Sequence, residues 1–84
     1  MKWSIVIPTW QRADMLREHL RALESQSSRD FEVVIVCDGE DAATRVVAES
    51  SETNFPIQWL FHRENQGLAA ARNTGASAAS GEFL

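Results

Sequence analysis

Residues 31–39, FEVVIVCDG, decide the fold of this 84-residue chain. The run from 31 to 37 is apolar at all but one position and ends at Asp38-Gly39, a common turn pair. A run that is apolar on both faces is typical of a parallel strand with helices on both sides of its sheet. Two shorter runs, 3–7 and 57–61, have the same character. They predict three buried strands, the first stopping before Pro8 because proline cannot donate to a strand ladder.

The residues between the strands follow a helical period. Leucines recur at positions 16, 20 and 23, the spacing of one helix face, and predict a helix over 13–26. The segment 41–51 is a weaker helix candidate that has Asp41 as its N-cap.

An alanine-rich segment, 66–80, predicts a third helix with Asn65 as a candidate cap. Gly75 inside it costs about 1 kcal/mol relative to alanine, which favours a close approach of this helix to the sheet. The order is therefore β-α-β-α-β-α, and Phe83-Leu84 resembles the opening of a fourth strand. This alternation predicts an α/β fold with right-handed crossovers, that is, a Rossmann-like, doubly wound parallel sheet with alternating helices.

The composition excludes several classes of protein. The chain is 44% apolar and 24% charged, as ordinary globular proteins are, and its net charge of −4 argues against a nucleic-acid partner. One cysteine rules out a disulfide scaffold, and no Cys/His spacing suits zinc. No apolar run approaches the roughly 18 residues of a membrane span, and the first residues are too short for a signal peptide. We therefore expect a cytoplasmic protein; attachment of a parent enzyme to a membrane and the oligomeric state stay open.

Each predicted strand is followed by a polar cluster. The clusters are 8–12 (PTWQR), 37–40 (CDGE) and 62–67 (HRENQG), and Arg72 follows the last of them. Ligands of open parallel sheets bind beyond the carboxyl ends of the strands, so these clusters predict one binding site. The sequence has no Gly-x-Gly-x-x-Gly and no P-loop motif, which excludes two familiar ways of binding phosphate.

Four side chains are candidates for contacts to a nucleotide, and each has a structural alternative. Trp10 could stack on a base, or it could be a core or lid tryptophan. Asp38 could accept hydrogen bonds from a base or a ribose, or it could cap a helix from a turn. Arg72 and Arg12 could pair with a diphosphate, or they could be solvated surface residues.

Three other residues are weak candidates for catalysis. Cys37, at the end of a buried strand, is better interpreted as a small hydrophobic residue than as a nucleophile. His19 and His62 have no Ser or Asp partner at a spacing that indicates a catalytic pair. The sequence thus predicts no catalytic residue.

Four segments, taken together in this order and spacing, resemble the amino-terminal half of family 2 glycosyltransferases, whose fold is the GT-A type. They are 4–12 (SIVIPTWQR), 31–39 (FEVVIVCDG), 65–75 (NQGLAAARNTG) and 79–84 (ASGEFL). The resemblance therefore covers essentially the whole chain.

The resemblance implies roles for particular residues. Trp10 stands where an aromatic residue of the family stacks on or flanks the base, and Pro8 and Thr9 line the same pocket through their backbone. Asp38 stands at the second of two aspartates, the one that hydrogen-bonds the base. Arg72 stands at the arginine that faces the nucleotide.

The chain also departs from the family pattern. Cys37 replaces the first aspartate, Gln11 replaces an asparagine and Glu40 replaces a serine. A later aspartate is Ala42, although Thr44 matches. The departures leave the expected fold intact but leave the base and sugar of the donor open.

The resemblance further implies an enzyme that moves a sugar from a nucleoside-diphosphate-sugar donor to an acceptor hydroxyl. In the family, an Asp-x-Asp motif that coordinates Mg²⁺ or Mn²⁺ follows the strand that Phe83-Leu84 would open, and a later carboxylate is the general base. We therefore expect residues 1–84 to be a single nucleotide-binding portion that stops before the metal ligands and is inactive alone. The alternative is a standalone Rossmann-like nucleotide-binding or regulatory module without catalysis.

Overall fold

A computed structural model of the chain describes residues 3–26, 30–50 and 52–79, together with the backbone of 82–83. Strands and helices alternate in the predicted order. They are β1 (Trp3–Thr9), α1 (Ala13–Glu24), β2 (Phe31–Cys37), α2 (Ala42–Ser50), β3 (Ile57–Phe61), α3 (Leu68–Ala78) and β4 (Glu82–Phe83). The predicted fourth strand is present, while Leu84 lies outside the described residues. Within those described ranges, no helix is long and apolar enough to cross a membrane.

All neighbouring strands pair in parallel, in the order β3-β2-β1-β4. The chain steps from β1 to β2 to β3 in one direction and then returns to place β4 on the other side of β1. With right-handed crossovers, this reversal puts α3 on the opposite face of the sheet from α1 and α2. The predicted doubly wound, Rossmann-like α/β fold is confirmed, and the point where the strand order reverses lies between β1 and β4.

Strand β2 runs through the centre of the sheet and is buried on both faces. Val33 and Ile35 belong to a cluster with buried residues of α1 and α2, whereas Val34 and Val36 pack with Ala71 of α3. All five side chains are 0% exposed. Because successive strand residues point to opposite faces, a helix layer on each side explains why the apolar run is unbroken.

Helix α3 approaches the sheet closely at Gly75, as predicted. A Cβ added at Gly75 would collide with Cγ1 of Val6 and would lie 3.2 Å from Cγ2 of Val36. The glycine therefore allows α3 to rest directly on β1 and β2.

The prediction that the first strand stops before Pro8 is wrong, since β1 continues to Thr9. The carbonyl of Thr9 accepts a hydrogen bond from the backbone N–H of Asp38 at 2.9 Å, so the polar groups of Thr9 face β2. Those of Pro8 face the other way, because the direction alternates along a strand. On that side the described residues of β4 pair only with Trp3 and Ser4, so the missing N–H of Pro8 breaks no bond to a described residue.

Two predicted helix caps have opposite outcomes. Asp41 caps α2, because its Oδ1 accepts from the N–H of Thr44 at 3.4 Å and its Oδ2 from the Thr44 hydroxyl at 2.8 Å. Asn65 does not cap α3, which begins only at Leu68 after Gly67 at φ +96°. The Asn65 amide instead donates to the carbonyl of Asp38 at 3.1 Å, because the loop before α3 folds back onto the end of β2.

Candidate functional site

A pocket of about 200 Å³ lies at the carboxyl ends of β1 and β2, beside the loop that leads into α3. Its lining combines residues that follow β1, the turn after β2 and the start of α3. They are Pro8, Thr9, Trp10, Arg12, Asp38, Asn65, Gly67 and Leu68. We call it the carboxyl-edge pocket. It contains five of the six residues predicted to contact a nucleotide, all except Arg72, and it lies where open parallel sheets bind their ligands.

Trp10 forms a wall of the carboxyl-edge pocket because of a glycine beneath its ring. A Cβ added at Gly39 would lie 2.8 Å from Cζ3 of Trp10. Gly39 also has φ +127°, a backbone conformation that residues with a side chain rarely adopt. The half-buried indole thus lies against the turn after β2 and not in either core cluster.

The loop that carries Trp10 and Arg12 is tied to the start of α2. Gln11 has φ +54°, and its backbone N–H donates to Oδ2 of Asp41 at 2.7 Å. The same carboxylate caps α2 through Thr44. Asp41 therefore holds the loop after β1 in place. Arg12, in the same loop, is exposed and lines the pocket.

Asp38 is buried at 1% exposure and holds the loop that precedes α3. Its Oδ1 accepts from the N–H of Gln66 and from Nδ1 of His62, each at 2.8 Å, and its Oδ2 accepts from the N–H of Gly67 at 2.7 Å. The bond from Gln66, with those from His62 and Gly67, lowers the pKa of this carboxyl below its ordinary 3.8 despite burial.

The backbone donors to Asp38 belong to the loop before α3, so the carboxylate anchors that loop and does not cap the helix, which begins at Leu68. An ionised carboxylate has about four sites for accepting hydrogen bonds, and three of those on Asp38 receive donors of the chain itself. A direct hydrogen bond from Asp38 to a base stays a prediction; its observed contacts shape the pocket wall formed by Gly67 and Leu68.

The sequence places His62 in the polar cluster 62–67 but indicates neither its partners nor any role for Thr74. Nε2 of His62 lies 2.8 Å from the hydroxyl of Thr74, while Nδ1 contacts Asp38. The available signal was topological: His62 follows β3, the neighbour of β2, so it must lie beside the end of β2. Asn65, Gly67 and Leu68 are further lining residues whose roles depend on how the same loop folds back.

Arg72 is exposed on α3, one turn beyond Leu68, and does not line the carboxyl-edge pocket. The structure therefore does not bring it together with the other predicted residues. Its predicted contact to a nucleotide stays a prediction.

Cys37 and His19 have no catalytic setting. Burial raises the pKa of the Cys37 thiol from 9.0 to about 11, and its sulfur lies 3.2 Å from the carbonyl of Gly39, to which it donates. This agrees with its interpretation as a small buried residue. His19 is exposed on α1.

The described residues do not fit a divalent metal site. In the ranges 3–26, 30–50 and 52–79, no three His, Cys, Asp or Glu side chains are grouped so that they could hold a metal ion. The carboxylates of Asp38, which lines the pocket, and of Asp41 are engaged with donors of the chain. The chemistry of the pocket is accordingly that of its aromatic, guanidinium and backbone groups.

Known proteins resemble this chain in sequence, and solved structures resemble it in fold. The validoxylamine A glucosyltransferase of Streptomyces hygroscopicus subsp. jinggangensis is 40% identical over 84 residues, and the glycosyltransferase GlyA of Streptococcus pneumoniae is 34% identical over 84. The matches cover 96% and 99% of this chain but only 20% and 12% of those proteins, so the chain spans a fifth of their length or less.

A solved structure, S. aureus TarS 1-349, superposes on the whole chain with a TM-score of 0.85 at 27% identity, and the match covers 27% of that structure. A second TarS structure gives a TM-score of 0.88 at 28% identity, with the match covering 16% of it. The family model described as "Glycosyl transferase family 2" matches residues 4–84. Because that match covers almost the whole chain, the chain belongs to glycosyl transferase family 2.

Proposed function

We propose that the carboxyl-edge pocket binds the nucleoside diphosphate of a nucleoside-diphosphate-sugar donor. The chain would supply nucleotide recognition to a glycosyltransferase that moves the sugar to an acceptor hydroxyl. The observation that carries this proposal is the convergence of Trp10 and Arg12 on one pocket at the carboxyl ends of the strands. Family membership supports glycosyl transfer as the reaction class.

The pocket offers a flat apolar face and a cation, which are the two features that a nucleotide needs. Trp10 would stack on the base, an interaction worth about 1–3 kcal/mol. Arg12 would pair with the diphosphate through its planar donor fork. Pro8 and Thr9 would form the wall between them. Arg72, one turn further along α3, would approach the diphosphate from outside the pocket.

Helix N-termini often bind anions, but the two N–H groups just before α3 are not available to the phosphates. The N–H groups of Gln66 and Gly67 already donate to Asp38, whose negative charge offsets the helix dipole. The phosphate charge would therefore fall to the arginines, and to Mg²⁺ or Mn²⁺ held by residues outside the described ranges. We place the metal ligands and the general base outside this chain, in keeping with residues 1–84 as a nucleotide-binding portion.

The proposal is tested by adding UDP, GDP and TDP in turn, at millimolar concentration, to the ¹⁵N-labelled chain. We expect at least one of them to shift the Trp10 indole resonance and the amide resonances around Arg12 and Asp38. Trp10→Ala and Arg12→Ala should each weaken the binding of that nucleotide. Arg21→Ala is the matched control, since Arg21 lines a separate pocket. Unshifted resonances with all three nucleotides would overturn the binding role.

A further inference from the structure

We propose that His62 is a positioning residue of the carboxyl-edge pocket. With Thr74, it fixes the carboxylate of Asp38 and so holds the pocket wall at Gly67 and Leu68. It does this with a proton on Nδ1. The consequence for nucleotide affinity rests on the proposed function, whereas the geometry and the tautomer do not.

The ring of His62 joins three parts of the fold. It follows β3, and its Nδ1 lies 2.8 Å from Oδ1 of Asp38 at the end of β2. Its Nε2 lies 2.8 Å from the hydroxyl of Thr74 in the middle of α3. The side chain of His62 is only 10% exposed, so water would not replace either hydrogen bond at little cost. The ring is thus held from both sides.

The hydrogen-bond inventory decides which ring nitrogen carries the proton. The Asp38 carboxylate has a lowered pKa, is ionised at neutral pH and can only accept, so Nδ1 must donate to it. Thr74 lies 2.8 Å from Nε2 and 3.0 Å from the carbonyl of Ala70. Its hydroxyl has one proton, which goes to Nε2 when the ring is neutral.

The same contacts persist when the ring gains a second proton. Nε2–H then donates to the Thr74 oxygen, and the hydroxyl rotates to donate to the carbonyl of Ala70. Rotation of one hydroxyl thus accommodates either state of His62 without moving a heavy atom. The Nδ1–H bond to Asp38 is common to both states.

Asp38 transmits this positioning to the pocket. The carboxylate that His62 holds also accepts hydrogen bonds from the N–H groups of Gln66 and Gly67, and Gly67 directly precedes α3. Without the His62 donor, only those two N–H groups hold the carboxylate, and it gains freedom to rotate. The turn at Gly67 is then less firmly anchored, and the place of Leu68 in the pocket lining is less fixed.

The test compares three variants of the full chain with wild type. His62→Asn keeps an amide donor near the position of Nδ1, His62→Phe keeps ring shape without donors, and Thr74→Val removes only the hydroxyl. In wild type, the long-range ¹H–¹⁵N spectrum of the ring at alkaline pH should show the Nδ1–H tautomer. An Nε2–H tautomer would overturn the proposal. The amide resonances of Gln66 and Gly67 should move in the Phe variant and stay close to wild type in the Asn variant.

Nucleotide affinity provides the second reading, and stability is measured alongside it. We expect the Phe variant to bind the nucleotide about tenfold more weakly, as for a lost hydrogen bond to a charged group, and the Asn variant to stay within about threefold of wild type. If the Phe variant unfolds more easily but binds normally while folded, His62 is merely structural and the positioning role is wrong. Should the Phe variant fail to fold, Thr74→Val must still shift the Gln66 and Gly67 amides. If wild type binds no nucleotide, the tautomer and those amides still decide the role of His62.

Discussion

Trp10 lies directly over Gly39, so closely that a Cβ added to the glycine would be 2.8 Å from Cζ3 and 3.0 Å from Cη2 of the indole. The ring that we propose to meet a base therefore rests on bare backbone. Adjacent residues of the turn after β2 therefore have different roles. Asp38 holds the loop before α3, and Gly39 leaves room for the ring of Trp10.

Replacing Gly39 by alanine should destabilise the chain and displace the indole. The backbone conformation at φ +127° costs about 1–3 kcal/mol for a residue with a side chain, and the collision with Trp10 adds about 1–3 kcal/mol of overpacking. Urea unfolding measures the loss, and the Trp10 indole resonance reports the displacement.

Gly67→Ala is the matched control for Gly39→Ala. Gly67 also has positive φ, at +96°, but a Cβ there would meet nothing within 4 Å. Gly67→Ala should therefore lose only the part of the stability that comes from backbone conformation, and the Trp10 resonance should not move. Equal losses of stability in the two variants would show that the contact between Trp10 and Gly39 has no energetic weight.

Gly75→Ala should destabilise the chain although alanine is the better helix former. The added methyl group collides with Val6 and crowds Val36, which costs about 1–3 kcal/mol and exceeds the gain of about 1 kcal/mol in helix propensity. Ser77→Ala, exposed on the same helix, should change the free energy of unfolding by less than about 0.5 kcal/mol. In a double-mutant cycle, Val6→Ala should recover part of the loss. A Gly75→Ala variant as stable as wild type would contradict the close approach of α3 to β1.

The stability of the chain should fall in acid partly because of Asp38. Its pKa is lowered in the folded chain, so its ionised form stabilises the fold above the ordinary carboxyl pKa of 3.8. This contribution is lost as the pH falls from 3.8 through the folded value. Asp38→Asn should be less stable at neutral pH and should show a shallower decline between about pH 5 and pH 2. Urea unfolding at a series of pH values measures both. Asp41 keeps part of the slope in this variant, since its pKa is also lowered, with hydrogen bonds from Thr44 and Gln11 outweighing burial.

The thiol of Cys37 should resist alkylation until the chain unfolds. With its pKa raised to about 11 by burial, the thiol forms about a hundredfold less thiolate at neutral pH than it would at 9.0, and it is 0% exposed. Iodoacetamide should therefore label the unfolded chain quickly and the folded chain only as fast as it opens. Mass spectrometry with and without urea measures the two rates. Rapid labelling in the absence of urea would contradict the buried, protonated state of Cys37.

The sheet and its helices were predictable because the signals for them are local. The unbroken apolar run of β2 requires cover on both faces, and the helical spacing of Leu16 and Leu20 marks the buried side of α1. The sequence does not predict that β1 continues through Pro8. Proline is excluded from a strand only where its missing N–H would face a partner strand. That depends on which side of β1 has a neighbouring strand, which is a property of the sheet and not of the segment.

The pocket was predictable in its position but not in its internal bonds. The polar residues after the strands were expected at one edge, and five of the six lie there. The donors that reach Asp38 come from residues 24 to 29 positions later in the chain, and no local spacing indicates them. The prediction that Asn65 caps α3 is wrong for the same reason. Its amide donates to the backbone carbonyl of Asp38, just after β2.

The long reach of those bonds has a consequence for the order in which the molecule is made. Synthesis runs from the amino terminus, so Trp10 and Asp38 are made before the loop at 62–67. During that interval the three donors that hold the Asp38 carboxylate in the folded chain have not yet been made. Of the residues that line the pocket, Asn65, Gly67 and Leu68 are added last. A nascent chain therefore cannot form the carboxyl-edge pocket until its synthesis has passed Leu68.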